Sequence, residues 1–131
     1  MNIRPKNILL IDGNKRERLA IVLMLTRFGH KVKLVTHGKE ACHRIESEEF
    51  DLLIVNDRLA DMSGLDFLSR IKKEKSIKAI YLSSKGSVEE FVQVVKLGVF
   101  EYVRKPVSPV QFAVIICDFF IQNRKEHQFQ A

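Results

Sequence analysis

The chain has 131 residues and a mass of 15.2 kDa, the size of one ordinary domain. Hydrophobic residues make up 46% of the sequence and charged residues 29%, which permits a core and argues against general disorder. Lysine and arginine outnumber aspartate and glutamate by 22 to 16, which gives a net charge of +6. Two cysteines do not make a disulfide scaffold, and no apolar run is long enough to span a bilayer. These features argue against membrane proteins, secreted mini-proteins, coiled coils and repeat arrays, and predict a cytoplasmic protein with free thiols.

Short apolar segments alternate with amphipathic ones along the chain. The first apolar run, over 8–11, is typical of a strand buried on both faces. A helix is predicted over 14–28, because Asn14 is a suitable N-cap, Glu17 completes a capping box and Gly29 suits a left-handed cap. Lysine alternates with apolar residues over 31–35, as expected for an edge strand. The further predicted elements are helix 38–48, strand 52–55, helix 65–74, strand 79–82, helix 87–97, strand 99–103 and helix 108–124.

Strand and helix therefore alternate five times, which predicts an α/β fold: a doubly wound, five-stranded parallel sheet with helices on both faces. Residues 1–124 are predicted to form this domain, and residues 125–131 a polar tail or the start of a linker. Parallel sheets of this kind carry their functional groups at the carboxyl ends of the strands. We expect an acid, an amide, a hydroxyl and an ammonium group to meet there in one cleft: Asp12, Asn56, Ser83 and Lys105.

The strand ends and the loops after them carry a set of motifs in a fixed order. The motifs are Ile-Leu-Leu-Ile-Asp at 8–12, Asp-Leu-Leu-Ile-Val at 51–55, Asp-Met-Ser-Gly-Leu at 61–65, Ser83, Gly98, and Tyr-Val-Arg-Lys-Pro at 102–106. In this order the chain resembles the CheY-like receiver domain of two-component response regulators, over about residues 6–121. The resemblance implies a flavodoxin-like three-layer sandwich with strand order 2-1-3-4-5.

The resemblance also implies roles for individual residues. Ser83 corresponds to the switch hydroxyl, Tyr102 to the switch aromatic residue and Lys105 to the phosphate-contacting ammonium group. Pro106 is a candidate for a cis peptide bond. Receivers further carry two adjacent acids after the first strand and an aspartate phosphoacceptor at the end of the third.

Both of these acidic positions differ in this chain. Asp12 is followed by Gly13 in place of a second acid. In the family the acceptor lies eight residues before the loop glycine. The loop glycine here is Gly64, and the residue eight positions before it is Asn56. Asn56 is therefore the position equivalent to the phosphoacceptor, and Asp12 and Gly13 form a degenerate acidic pocket. The loop also has Ala60 where receivers usually have proline.

The chemistry of these replacements argues against phosphorylation. A neutral carboxamide is a poor nucleophile, and phosphoryl transfer depends on positioned charge and on Mg²⁺. With Asp12 as the only acid of the pocket, we expect weak or absent Mg²⁺ binding, no other cofactor and no catalytic residue. Asp12 is expected to pair with Lys105 instead. Asp57 is not expected to replace the acceptor, because successive strand residues point to opposite faces.

The last predicted helix has two apolar stripes, where a helix that faces the core needs one. The first stripe is expected to pack on the sheet: Phe112, Ile115, Ile116 and Phe119. The second predicts an interaction surface flanked by Phe91 and Tyr102: Val110, Val114, Cys117 and Ile121. The alternative is that this helix packs against the first helix, which has a similar surplus: Leu19, Val22 and Leu23.

The predicted function is that of a signalling module without enzymatic activity, which acts through protein–protein contacts and without phosphorylation. The expected partner is another protein or a second copy, bound through the fourth helix, fifth strand and fifth helix. Two alternatives stay open: a functioning phosphorelay receiver with a non-standard site, and a basic regulator associated with nucleic acid. The basic residues are spread over several helices without a recognition motif, which argues against nucleic-acid binding by this domain alone. No feature of the sequence indicates membrane binding.

Overall fold

The computed structural model describes residues 5–72 and 78–130, with side chains as far as residue 122 in the last helix. Strands and helices alternate throughout this part of the chain. In chain order they are β1 (Asn7–Ile11), α1 (Lys15–Arg27), β2 (Lys31–Val35), α2 (Gly38–Ser47), β3 (Leu52–Asn56), α3 (Gly64–Lys72), β4 (Ala79–Ser83), α4 (Val88–Lys96), β5 (Glu101–Arg104) and α5 (Pro109–Gln130).

The strands form one parallel sheet in the order β2-β1-β3-β4-β5. β1 pairs with β2 on one side and with β3 on the other, so that Ile11 lies opposite both Val35 and Val55. The predicted flavodoxin-like fold and its strand order are confirmed, and β2 is the edge strand that its alternating lysines indicate. In such a sheet the chain reverses its direction of winding between β1 and β3, and a crevice opens at their carboxyl ends.

Local signals set the ends of α1. The side chain of Asn14 accepts a hydrogen bond from the Arg16 amide at 3.0 Å, and Gly29 beyond the helix has φ of +85°, which favours glycine. Glu17 does not complete the predicted capping box, because its carboxylate forms an ion pair with Lys105.

α5 is longer than its sequence pattern predicts. It extends to Gln130, so that residues 125–130, expected as a polar tail or linker, continue the helix. Ala131 lies outside the described residues.

The core has two halves, one on each face of the sheet. Successive β1 side chains point to opposite faces, so that Ile8 packs with α1 and α5, and Leu9 packs with α2, α3 and α4. β3 is buried along its whole length, as a strand covered on both faces must be. Cys42 and Cys117 are not joined by a disulfide bond; Cys42 packs against the half of the core that contains Leu9, and Cys117 lies on α5.

α5 divides its two apolar stripes between the core and solvent. The first stripe is buried, apart from the half-buried Ile115: Phe112, Ile116 and Phe119. In the second stripe Val110 and Val114 are 74% and 62% exposed, whereas Cys117 and Ile121 are half-buried.

The surplus apolar residues of α1 are divided in the same way. Val22 packs against the core, but Leu19 and Leu23 are 62% and 58% exposed. The alternative that α1 and α5 bury their surplus against each other therefore does not hold for the exposed residues. None of the described helices is long and apolar enough to cross a membrane.

Replacement of Phe112 by alanine is expected to lower the free energy of unfolding by about 3–5 kcal/mol, because a fully buried ring is removed. Val114→Ala on the same helix is the matched control and should change the stability by less than about 0.5 kcal/mol, since this side chain is mostly exposed. Urea denaturation measures both values. Equal losses would mean that α5 is rotated on the sheet relative to the structure.

Candidate functional site

A cleft of about 540 Å³ opens at the carboxyl ends of the strands, beside the first turn of α1. Its lining residues come from the end of β3, the first turn of α1 and the loops after β1, β3, β4 and β5: Gly13, Asn14, Lys15, Glu17, Asn56, Asp57, Arg58, Leu59, Ser84 and Lys105. Asp12 is fully buried next to this cleft. It lies beside Asn56, because Ile11 and Val55 pair across β1 and β3 and these two residues come next in each strand direction. The topology therefore brings Asp12, Asn56 and Lys105 to one place.

Asn56 is the last residue of β3 and is 1% exposed. Its Nδ2 donates a hydrogen bond to the Arg58 carbonyl at 3.1 Å, and the Gly13 amide donates to the same carbonyl at 3.1 Å. Its Oδ1 is buried without a hydrogen-bond partner in the described part of the chain. The carboxamide is thus held by the loop that follows its own strand.

Gly13 is packed directly against that loop. A β-carbon at this position would lie 2.9 Å from the Ala60 nitrogen and the Leu59 carbonyl carbon. Both are backbone atoms, so a side chain at position 13 requires the loop to move. The glycine therefore allows the loop after β3 to close over the end of β1.

Asp12 carries an unbalanced negative charge. Its Oδ1 accepts a hydrogen bond from the Asn14 amide at 2.7 Å, and its Oδ2 is buried without a partner among the described residues. Burial raises the pKa of Asp12 to about 6, although the Asn14 amide and the charge of Lys105 act in the opposite direction.

The predicted ion pair between Asp12 and Lys105 is replaced by other partners. The Lys105 ammonium lies 2.7 Å from Glu17 Oε2 and 3.5 Å from Asp57 Oδ1. The expectation that Asp12 is the only acid of the pocket therefore does not hold, since Glu17 and Asp57 bring two more carboxylates to the cleft. These two carboxylates neutralise the ammonium group, which explains why Asp12 does not pair with it.

Asp57 points into the cleft because β3 ends one residue earlier, at Asn56, so that strand alternation no longer fixes its direction. Its Oδ2 accepts hydrogen bonds from the Ser84 amide at 2.9 Å and from the Ser84 hydroxyl. Burial alone would raise the pKa of Asp57, but the two Ser84 hydrogen bonds and Lys105 lower it on balance. Asp57 is therefore an ionised and well-held carboxylate.

Ser83 and Tyr102 face away from the cleft, towards α4. The Ser83 hydroxyl donates to Glu90 Oε1, and the Tyr102 hydroxyl donates to the same atom at 2.7 Å. Sequence reasoning does not find Glu90, which has the pattern of an ordinary acid in the first turn of a helix. The peptide bond between Lys105 and Pro106 is cis.

The fold and the polar strand ends define the class of protein. The model of the response regulator receiver domain matches residues 8–117, and the chain belongs to this family, whose members serve in signal transduction. Among curated proteins it is 30% identical over 100 residues to the response regulator SaeR of Staphylococcus aureus (strain USA300), covering 76% of this chain and 43% of that protein. It is 28% identical over 103 residues to the transcriptional regulatory protein ZraR of Klebsiella oxytoca, covering 78% of this chain and 23% of that protein. The chain thus spans less than half the length of these two relatives.

Solved structures give the same assignment. A CheY-like response regulator receiver domain protein from Methanospirillum hungatei JF-1 is 27% identical, with a TM-score of 0.85 over 93% of this chain and 98% of that one. The receiver domain of the sensor histidine kinase PA1611 from Pseudomonas aeruginosa PAO1 has a magnesium ion coordinated in its active-site cleft. It is 22% identical, with a TM-score of 0.80 over 88% of this chain and 98% of that one, which shows a common fold alone.

The raised pKa of Asp12 makes a prediction about pH. The folded state holds this proton up to about pH 6, against 3.8 in an exposed aspartate, so the fold loses stability as the pH rises from about 4 to 6, and the full loss is present above pH 6. Asp12→Asn keeps an oxygen for the Asn14 amide and should raise the free energy of unfolding at pH 7.5 by up to about 3 kcal/mol. The gain should shrink as the pH falls through 6 towards 4, as measured by urea denaturation at each pH. A gain that is independent of pH would contradict the charge argument.

Proposed function

We propose that this receiver domain signals without phosphorylation, as a cytoplasmic module that acts through protein–protein contacts and has no enzymatic activity of its own. The observation that carries the proposal is the Asn56 carboxamide at the end of β3, which donates its Nδ2 hydrogen to the Arg58 carbonyl. An acyl phosphate requires an anionic carboxylate oxygen that attacks phosphorus, and a neutral amide supplies none.

The donors of the cleft also do not fit a divalent ion. Mg²⁺ requires octahedral oxygen ligands and usually takes carboxylates. Asp12 has one free carboxylate oxygen, Asn56 offers a neutral amide oxygen, and Glu17 and Asp57 are held on Lys105. Among residues 5–72 and 78–122, no group of three or more His, Cys, Asp or Glu side chains is placed to hold a metal. We therefore propose that the cleft works without Mg²⁺.

A second candidate is a functioning receiver that uses Asp57 as its acceptor. The contact of Asp57 with Lys105 and with the Ser84 amide favours this reading, because an ammonium group and an N–H stabilise charge on a transferred phosphoryl group. The same contacts also weigh against it. Both carboxylate oxygens already have partners, and the residue is 5% exposed, so neither oxygen is free to attack.

The proposed contact surface is formed by α4, β5 and α5. β5 is an edge strand, with α4 packed on one face of the sheet and α5 on the other. Phe91 is 47% exposed, and it touches the half-buried Tyr102 edge-on at 5.3 Å between ring centroids. Together with Val110 and Val114 these rings supply apolar area for another protein or for a second copy of the chain.

Acetyl phosphate is expected to leave the mass of the protein unchanged. Intact mass measurement, followed by peptide mapping of residues 52–63, tests this against a receiver that has an aspartate acceptor. Asp57→Asn is the matched variant, because it removes the carboxylate that directly follows Asn56. An added phosphate that Asp57→Asn abolishes would establish the second candidate and sink the proposal. Asn56→Asp alone should accept phosphate poorly, because Gly13 still provides no acid.

We predict that the proposed contact surface supports self-association or partner binding, and that this binding depends on Val110 and Val114 of α5. Each aliphatic side chain that is buried at an interface contributes roughly 1.5–3 kcal/mol. The valines and the neighbouring rings together must exceed an association cost of about 4–15 kcal/mol. Replacement of both valines by glutamine should lower the sedimentation coefficient of the assembly without loss of fold. The matched control replaces Leu19 and Leu23 of α1, which are exposed to a similar degree, and should leave the assembly intact. A wild type that stays monomeric at high concentration would exclude the self-associating form.

A further inference from the structure

Hydroxyl groups from two strands converge on a single carboxylate of α4. Glu90 Oε1 accepts hydrogen bonds from the Tyr102 hydroxyl, at 2.7 Å, and from the Ser83 hydroxyl. Glu90 Oε2 accepts a third hydrogen bond, from the Tyr81 hydroxyl at 3.3 Å. The helix is fixed at the same point by its cap, since Ser87 Oγ accepts from the Glu90 amide at 3.2 Å. We call Glu90, Tyr81, Ser83 and Tyr102 the Glu90 cluster.

The Glu90 cluster uses the only proton that Ser83 has to donate. The Ser83 hydroxyl is fully buried and accepts from the Lys85 and Gly86 amides, both at 3.1 Å, so its single O–H is directed to Glu90. Hydrogen bonds to a carboxylate are roughly twice as strong as those between neutral groups, and a buried setting strengthens them further. Ser83 is therefore held towards α4, away from the ammonium group in the cleft.

The cluster is also connected to the proposed contact surface. The Tyr102 ring stacks on Tyr81, with centroids 5.8 Å apart and planes 17° apart, and it also meets Phe91 in a T-shaped contact. Phe91 follows Glu90 in α4 and is one of the exposed apolar residues of the surface. The position of both rings on the surface thus depends on where Glu90 holds the end of α4.

We propose that Glu90 is the positioning residue of the α4–β5 surface: its carboxylate fixes Ser83 and Tyr102 in one arrangement and so sets the surface without a phosphoryl group. This inference rests on the proposed function for its purpose, but its contacts do not involve the cleft. In a protein that carries this cluster, the surface is preset by an internal carboxylate.

The two tyrosines make the cluster directly observable. They are the only tyrosines of the chain, and the sequence contains no tryptophan, so tyrosine absorbance and fluorescence report on this cluster alone. Burial raises the pKa of Tyr102, the Ser83 side chain lowers it, and the nearby Glu90 carboxylate raises it again, with a smaller effect from Asp57. The pKa of Tyr81 is also raised, by burial first and by the charge of Glu90 second. Removal of the negative charge should therefore make both phenols easier to ionise.

Glu90→Gln and Glu90→Ala test the proposal, with Glu89→Gln as the matched control, because Glu89 is an exposed acid of the same helical turn. The alkaline titration of tyrosine absorbance should shift to lower pH in both Glu90 variants and stay at the wild-type midpoint in Glu89→Gln. Amide exchange of α4, Lys85 and Gly86 should accelerate about tenfold or more in Glu90→Ala and less in Glu90→Gln, whose side-chain oxygen still accepts a hydrogen bond.

Tyr102→Phe provides a second test if the Glu90 variants do not fold. It removes one donor, keeps the ring and the carboxylate, and should accelerate exchange in α4 while α1 stays at the wild-type rate. Unchanged titration and unchanged exchange in these variants would overturn the positioning role. Neither readout requires phosphate or a partner, so phosphorylation of Asp57 would contradict the proposed function and leave this result standing.

Discussion

An ammonium group whose side chain is only 11% exposed must be neutralised by nearby carboxylates, and Lys105 imposes this requirement on every element around the cleft. Glu17 meets it from the first turn of α1, and Asp57 meets it from the loop after β3. Because Asp57 also takes the amide and hydroxyl of Ser84, the ends of three strands and the start of one helix are tied around one positive charge. Two carboxylates from different elements, Glu17 and Asp57, therefore neutralise this one charge at the cleft.

The architecture could be predicted from the sequence because it depends on local patterns. Continuous apolar runs identify the buried strands, the Asn14 cap and Gly29 mark the ends of α1, and alternating lysines identify β2 as an edge. The placement of Asn56 at the end of β3 follows from the same patterns, since it requires only the register of one strand and one loop. The direction of the Asp57 side chain could not be predicted from these patterns. The rule that neighbouring side chains point to opposite faces applies within a strand, and β3 ends at Asn56, one residue before Asp57.

The contacts that the sequence did not predict all join different secondary-structure elements. Glu17 has the spacing of a capping box, but an ammonium group at position 105 attracts its carboxylate more strongly than an amide in its own turn. Glu90 has the pattern of a first-turn acid, and only the packing of α4 on β4 and β5 brings the hydroxyls of Tyr81, Ser83 and Tyr102 to it. A local pattern can show that a charge is present, but its partner is decided by the three-dimensional fold.

The packing of Gly13 has a consequence for how this sequence can change over time. Any β-carbon at this position would meet backbone atoms of Leu59 and Ala60 at 2.9 Å, so every single substitution there passes through a less stable protein. Selection for stability alone is then enough to retain the glycine, whatever the cleft does. A change of Gly13 to any larger residue, an acid included, would require the loop beyond β3 to move. A glycine kept at this position in related sequences would reflect this packing of the backbone, and would not by itself indicate a role in signalling.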